Sequence, residues 1–240
     1  MGVQSFLAPN PGPITLTGTR SYIVGGEAAA IIDPGPAIES HLARLADAVS
    51  AAARVAILLT HAHDDHSAGA ADLARTLGAE VWGPGGERPI DDGGTFSTSD
   101  GELVAVSTPG HSRRHFCFHL PRTGEVFAGD LILGEGDTTW VGEYPGAVAQ
   151  YLASLDRLKA LRPRVIHPAH GPDIVDPAAA IERFRRHRLS RIAMVRSALD
   201  AGHTDPAAIM RHVYGALPRE VQAMALASVE AILDYLSGAE

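Results

Sequence analysis

The sequence predicts a layered α/β domain followed by a small all-helical appendage, on three observations. Over the first two-thirds of the 240 residues, short apolar runs alternate with Gly/Pro turns. Stretches of helical apolar spacing are interleaved with those runs, and beyond residue 177 only helical patterns remain. Strands mixed with helices and hairpins imply sheets covered by helices. At about 150 residues per domain the length holds one large domain and an appendage, which the pattern places at residues 1–177 and 178–240.

In chain order, residues 21–25 (SYIVG) and 28–33 (AAAIID) read as strands split by the Gly25-Gly26 turn, and Asp33-Pro34-Gly35-Pro36 ends the second. Residues 38–53 place Ile38, Leu42, Leu45 and Val49 at helical spacing. Residues 55–60 (VAILLT) form a buried strand, residues 67–77 a helix, and residues 80–82 and 103–107 two further strands. Residues 116–120 and 125–128 pair around the Pro121-Arg122-Thr123-Gly124 turn. An amphipathic helix over residues 147–161 shows Val148, Leu152, Leu155 and Leu158 on one face, and a strand at 164–167 follows. Helices then cover residues 179–199, 205–214 behind the cap candidate Thr204, and 218–236. The chain contains no internal repeat and no low-complexity tract.

With 45% hydrophobic and 20% charged residues, disorder, collagen and coiled coil are excluded as whole-chain readings. No apolar run approaches the roughly 18 residues of a membrane span, so no membrane partner is expected. Residues 1–18 lack a basic stretch followed by an apolar core, the pattern of a secretory signal. The single cysteine, Cys117, excludes an internal disulfide and any multi-cysteine zinc site, and together these features point to the cytoplasm. A net charge of −8 repels phosphate backbones unless basic groups cluster locally.

The totals leave the histidines unexplained. There are twelve, and five stand beside aspartates in short Gly- and Pro-punctuated segments. Thr60-His61-Ala62-His63-Asp64-Asp65-His66 packs three imidazoles and two carboxylates into one loop after a buried strand. Gathering these groups is costly unless a cation repays it. Alternate residues of an extended loop, His61 and His63, can converge on one ion, while Asp65 and His66 point elsewhere and suit a second. That is the logic of a two-metal site, where separations of roughly 3.5–4 Å are typical. Three later strand ends add His111 (Thr108-Pro109-Gly110-His111-Ser112), Asp130 (Ala128-Gly129-Asp130) and His170 (Pro168-Ala169-His170-Gly171-Pro172).

In this order the segments resemble the metallo-β-lactamase-fold hydrolase superfamily over roughly residues 19–177, as do the TGTRSYIVGG and IIDPG opening and the TPGHS, FAGD and PAHGP segments. The resemblance implies an αββα sandwich with two metals at one edge. Carried over residue by residue, His61, His63 and His111 bind one metal, Asp65, His66 and His170 bind the other, and Asp130 bridges them. The β-lactamases of the fold use a cysteine in the second site or lack the bridging aspartate, whereas here Asp130 is present and Cys117 stands in a strand. Flavodiiron relatives place Glu where this chain has His63. The stretch Gly129-Asp130-Leu131-Ile132-Leu133-Gly134-Glu135-Gly136, the later Tyr151-Leu152-Ala153-Ser154-Leu155 and the run IERFRRHRLSR at 181–191 are similar to the β-lactamase-like protein 2 group. Members of that group carry a winged-helix-like carboxy-terminal domain and include single-stranded RNA endonucleases, and fungal relatives act as thioesterases in polyketide release. Arg20 departs from the family's usual Asn, His167 stands where an aromatic or apolar residue is usual, and residues for a wing hairpin are missing.

The resemblance and the donor types together imply a dinuclear zinc hydrolase, with iron or manganese also compatible with seven N/O ligands. Two zincs depress the pKa of a bridging water toward about 7, so that it attacks as hydroxide. Asp65 and Asp130 are the catalytic carboxylates, and His115, four residues after His111, is expected to face the substrate and stabilise an oxyanion or protonate the leaving group. Asp33, closing a strand, is a candidate to support a metal-bound imidazole. Asp64 reads as a solvated loop residue, and His41, His119, His187, His203 and His212 as structural or exposed.

Arg183, Arg185, Arg186, Arg188 and Arg191 form a charge run on one helix whose apolar stripe is Ile181, Phe184, Ile192 and Val195. The expected role is a solvated face beside an acidic main domain. From residue 178 onward eight Arg stand against seven Asp/Glu, which leaves the appendage near neutral. Single-stranded RNA is therefore the alternative partner, although Phe184 is that helix's only aromatic. The favoured partner is a small ester, thioester or lactone, and oligomeric state has no signature in the sequence. A mononuclear iron oxygenase using His61, His111 and Asp130, and a non-catalytic module with structural metals, are the readings from other classes.

Overall fold

The computed structural model describes residues 2–238. Two five-stranded mixed sheets stack face to face with helices on both outer faces. The first sheet runs β1 (Gln4–Leu7), β2 (Arg20–Gly25), β3 (Ala28–Ile32), β4 (Arg54–Leu58) and β5 (Glu80–Trp82) in spatial order. Its first three strands form an antiparallel meander, and β4 and β5 join it in parallel. Parallel neighbours need a crossover, supplied here by α1 (Glu39–Ala48) and by α2 (Asp64–Ser67) with α3 (Ala70–Leu77). The second sheet, in spatial order, is β10 (Val165–Pro168), β9 (Glu125–Gly129), β8 (Phe116–Leu120), β7 (Gly101–Ser107) and β6 (Thr95–Thr98). It is antiparallel except for the β9/β10 pair, whose crossover is α4 (Ala147–Ala160).

Three apolar clusters hold the layers together. Between the sheets lie Tyr22, Ile32, Leu58, Phe118 and Phe127. Under α1 and α3 lie Ile31, Leu45, Ile57, Leu59 and Leu73. The third cluster extends from Val126 and Ile166 of the second sheet through Tyr151 and Leu155 of α4 to Phe184, Ile209 and Ile232. Those last residues belong to α5 (Pro177–Asp200), α6 (Pro206–Tyr214) and α7 (Arg219–Ser237), so the three carboxy-terminal helices share one core with α4. Fully burying one such side chain contributes about 1.5–3 kcal/mol.

Several boundaries move relative to the sequence reading. The helix expected over residues 38–53 stops at Ala48, and β1 and β6 are elements that the sequence pattern does not reveal. Asp65 and His66, expected in a loop, sit on the single turn α2. Thr204 does not cap α6, because the Asp205 carboxylate accepts the Ala208 N–H at 2.8 Å. Pro177 opens α5, whose Asp176 cap accepts from Ala179 N–H at 3.1 Å. No strand follows β10 among the described residues.

Candidate metal centre

Because β3 and β4 run parallel, as do β9 and β10, their carboxyl ends reach one edge of the sandwich. The Phe116 N–H donates to the Thr60 carbonyl at 2.8 Å, tying the two sheets together there. The β4 end leads into residues 60–66, β9 into Asp130, β10 into His170, and the β7–β8 loop carries His111. Two glycines let these loops close on each other. At Gly110 (φ +139°) an added Cβ would stand 2.5 Å from Tyr151 Cα, and at Gly129 (φ +49°) 2.7 Å from Thr60 Oγ1. A side chain at either place would force α4 or the β4 end away from the site.

The seven residues singled out as ligands come together as two triads and one carboxylate between them. In the first, His63 Nδ1 lies 3.0 Å from His61 Nε2 and 3.1 Å from His111 Nε2. In the second, Asp65 Oδ2 lies 3.2 Å from His170 Nε2 and 3.4 Å from His66 Nε2. The ligand atoms of each triad are within 4.8 Å of one another. Asp130 stands between them, with Oδ1 3.3 Å from His170 Nε2 and 3.5 Å from His66 Nε2, and Oδ2 3.6 Å from His111 Nε2.

The outward nitrogens establish which way these rings face. His111 Nδ1–H donates to the Trp140 carbonyl at 3.0 Å, and His170 Nδ1–H to the Gly18 carbonyl at 3.2 Å. His66 Nδ1–H donates to Asp33 Oδ2 at 2.9 Å. The Thr60 hydroxyl also donates to Asp33 Oδ2, at 2.6 Å, so its oxygen accepts the His61 Nδ1–H at 3.0 Å. His63 Nε2 faces Glu143 Oε1 at 3.6 Å. A neutral imidazole carries one proton, so each ring turns its lone pair inward. Lone pairs facing lone pairs and carboxylates at these distances require a cation among them. Two buried atoms of the centre, His66 Nε2 and Asp130 Oδ1, have no hydrogen-bond partner. The donor set of imidazole and carboxylate fits zinc, iron or manganese. A third grouping, Asp33 with His61 and His66, is a support rather than a site, because both Asp33 oxygens are engaged by Thr60 and His66.

Burial and neighbouring charge act in opposite directions on these groups. Burial opposes charge on His66, yet Asp130 and Asp33 raise it well above the ordinary histidine range. Burial likewise opposes charge on His170, which Asp130 and Asp65 push up to about 9. Burial pushes the Asp130 carboxyl up, but His66 and His170 prevail and hold it well below the carboxylate range. Desolvation, together with the neighbouring His66 and His111, lowers His61.

His115 departs from expectation. It is fully buried, its Nδ1–H donates to Thr108 Oγ1 at 2.9 Å, and its Nε2 accepts the Asp130 N–H at 3.2 Å. Both its nitrogens are thus engaged inside the protein, and it holds the backbone of Asp130. Cys117 lies behind it in β8, buried, with its thiol pushed up to about 12 by desolvation. Arg20 donates from Nε to the Gly171 carbonyl at 2.7 Å, so it braces the loop next to His170 without entering the centre. His167 bonds Asp173 at 3.0 Å and stacks on Phe127 with ring centroids 5.0 Å apart. Sequence reasoning misses Thr60, Trp140 and Glu143. Only Thr60, directly before the histidine cluster, has a readable position.

The centre opens into a cavity of about 860 Å³ bordered by His63, Asp65, His111 and Asp130, within the usual range for small-molecule sites. Its far wall comes from the carboxy-terminal helices, with His187, Arg188 and Arg191 of α5 and Val221, Met224 and Ala225 of α7. The arginine run is therefore not one solvated face. Arg188 is 3% exposed and Arg185 pairs with Asp156 at 2.7 Å, while Arg183 donates to the Gly136 carbonyl at 2.9 Å. Among the described residues no helix is long and apolar enough to cross a membrane.

Comparison with known proteins bears on the family and the fold. The model of the Metallo-beta-lactamase superfamily matches residues 14–90 and 78–170. The lactamase-like protein nscB of Neosartorya fischeri is 34% identical over 206 residues, covering 82% of this chain and 61% of that protein. The chain thus spans about three-fifths of the length of nscB. The lactamase-like protein vrtG of Penicillium aethiopicum is 35% identical over 237 residues, 91% of this chain and 75% of that protein. A metallo-beta-lactamase family protein from Thermus thermophilus superposes with a TM-score of 0.83 at 23% identity, over 99% of this chain and 94% of its own. A protein solved in a di-iron-bound form, 29% identical, superposes with a TM-score of 0.56 over 71% of this chain and 94% of its own.

Proposed function

The chain belongs to the metallo-beta-lactamase superfamily, and on that premise we propose that it is a dinuclear metal hydrolase, loaded with zinc, that cleaves a small ester, thioester or lactone. One observation carries the reading: Asp130 turns one oxygen to His66 and His170 and the other to His111, so a single carboxylate serves two ligand triads. His61, His63 and His111 would hold the first ion, Asp65, His66 and His170 the second, and Asp130 would serve both. When bound, the two ions lower the pKa of a shared water and polarise the oxygen of the scissile group.

The chain's own side chains do the rest. Asp65 Oδ2 faces its histidines, leaving Oδ1 to orient the attacking water and take its proton. His115 fixes Asp130 through its backbone N–H, so proton delivery to the leaving group falls to the carboxylates. The apolar wall of α7 excludes water and seats the acyl group. A complete second triad favours two ions over the mononuclear oxygenase reading. The cavity's size and its apolar wall favour a small substrate over RNA, although the likeness of residues 129–136 and 181–191 to the β-lactamase-like protein 2 group motivates including RNA in the test.

Metal analysis of the purified chain, followed by a panel of acyl-thioesters, lactones and single-stranded RNA, tests the proposal. Two zincs per chain with turnover of a thioester or lactone is expected. One iron per chain, or cleavage of RNA alone, overturns it.

A further inference from the structure

The arginines of α5 differ in what they meet. Arg183 and Arg185 find acceptors on the main domain, and Arg186 reaches only the Glu182 carbonyl of its own helix at 3.4 Å. Arg188 is 3% exposed, yet among the described residues no carboxylate pairs with it. One guanidinium N–H donates to the Thr139 carbonyl at 2.9 Å, the group lies 5.4 Å from the centre of the Tyr151 ring, and Nε has no partner. Burying an unpaired charge is costly, and the side chain borders the cavity beside the metal centre.

One turn further on, Arg191 also borders the cavity. It stands 4.6 Å over the Tyr214 ring and donates to His187 Nε2 at 3.4 Å. The nearby acid, Asp137, is engaged by His187 Nδ1–H at 3.0 Å. Arg191 too has no acidic partner among the described residues. Two guanidinium groups three residues apart thus border one cavity without a carboxylate partner among the described residues, while the acidic side chains Asp65 and Asp130 of the same cavity stand at the metal centre.

We propose that Arg188, assisted by Arg191, forms a carboxylate-binding subsite in the cavity wall, and that the substrate is an amphipathic anion: a mainly hydrocarbon ester or thioester that carries a carboxylate. The planar guanidinium matches a carboxylate better than a point cation does. Thr139 links the subsite to the chemistry, since its carbonyl accepts from Arg188 while its hydroxyl lies 3.3 Å from His111 Nδ1. The substrate's carboxylate is therefore held one residue away from a metal-binding histidine, and its hydrocarbon body rests on Val221 and Met224. The subsite stands on the unpaired guanidinium groups, and only its assignment to the substrate rests on the hydrolytic reading.

The test compares 2-naphthoate with its neutral counterpart 2-naphthamide, by calorimetry on the full chain, both zinc-loaded and chelator-treated so that no metal competes for the carboxylate. The chelator-treated wild type is expected to bind naphthoate about tenfold more tightly than the amide, as a charge-assisted hydrogen bond supports. Arg188→Met should bring that ratio to within about twofold and leave amide binding within about threefold, while Arg188→Lys should keep part of it. Equal affinities in the wild type, or an unchanged ratio in folded Arg188→Met, overturn the proposal. If Arg188→Met fails to fold, the wild-type ratio decides alone. A chain that selects naphthoate but hydrolyses nothing keeps the subsite and loses the hydrolytic reading; an active hydrolase indifferent to the charge does the reverse.

Discussion

Asp33→Asn tests whether one buried carboxylate sets the orientation of two metal-binding histidines. Asp33 Oδ1 accepts the Thr60 N–H at 2.8 Å, and Oδ2 accepts both the Thr60 hydroxyl at 2.6 Å and His66 Nδ1–H at 2.9 Å. Asn keeps one acceptor, which stays on the Thr60 N–H, and puts an NH₂ group where two donors arrive. The Thr60 hydroxyl must then turn to His61 Nδ1, 3.0 Å away, and His66 Nδ1 must become an acceptor. Both rings consequently present Nε2–H to the centre instead of a lone pair. Losing such an outer partner typically costs about 10–100-fold in metal affinity, or about 1.4–2.7 kcal/mol, and here each triad loses one ligand's orientation. The lost charge-assisted bonds lower metal-free stability by roughly 2 kcal/mol, about 4–8 °C in Tm for a chain of this size. Zinc competition against a chromophoric chelator reads the two affinities, and melting of the chelated protein reads the fold. Wild-type affinity at both positions in folded Asp33→Asn would refute the relay.

Three further expectations concern the same edge of the sandwich. Asp130→Asn keeps the size of the side chain but removes the charge shared by both triads, so turnover should fall more than zinc content; an unchanged rate would remove Asp130 from the chemistry. In metal-free protein, His170 at about 9 lies above its unfolded value of about 6.5, so its stabilisation is complete below that value and lost as pH rises toward 9. Asp130, held low, contributes above its unfolded value of about 4 and loses its contribution as pH falls. Metal must displace the His170 proton, so the Tm gained on adding zinc should grow between pH 6 and 9, and a gain that shrinks over that range would contradict the assignment. Arg186→Gln alters an exposed group that bonds only to its own helix, so thioester or lactone turnover should stay within about twofold; a salt-dependent loss of RNA cleavage in this variant would instead promote the nuclease alternative.

The centre was legible because its residue types carry their chemistry wherever the backbone goes. His61, His63, Asp65 and His66 are bound to lie near one another, and His111, Asp130 and His170 each follow a strand whose apolar run marks its end. The short edge elements were not legible. Gln4–Leu7 and Thr95–Thr98 each have four residues and no fully buried position, so no period shows in them. His115 was misplaced for a related reason. A histidine four residues after His111 is shared with the resembled group, but that position does not say where the ring points: residues 108–115 form a loop, and the two rings diverge so that one faces the cavity and the other is sealed beneath Asp130.

Arg188 shows what a closer reading of period yields. Taken as one of five arginines in a basic run, it looks solvated, yet the buried positions of α5 include Ile181, Phe184, Arg188, Ile192 and Val195. These are steps of three and four residues, and Arg188 occupies a place in the stripe where an apolar residue is the rule. Arg183, Arg185 and Arg186 fall outside it and are not buried. A charge inside an apolar stripe is either paired or waiting for a partner, because its desolvation cost is otherwise uncompensated. The Tyr151 face and a single carbonyl offset part of that cost, and neither is an anion. The remaining electrostatic demand lies at the α5 wall of the cavity, so a chain of net charge −8 can still select a negatively charged substrate: what governs binding is the charge next to the bound group, and at that wall it is two guanidinium groups without a carboxylate partner among the described residues.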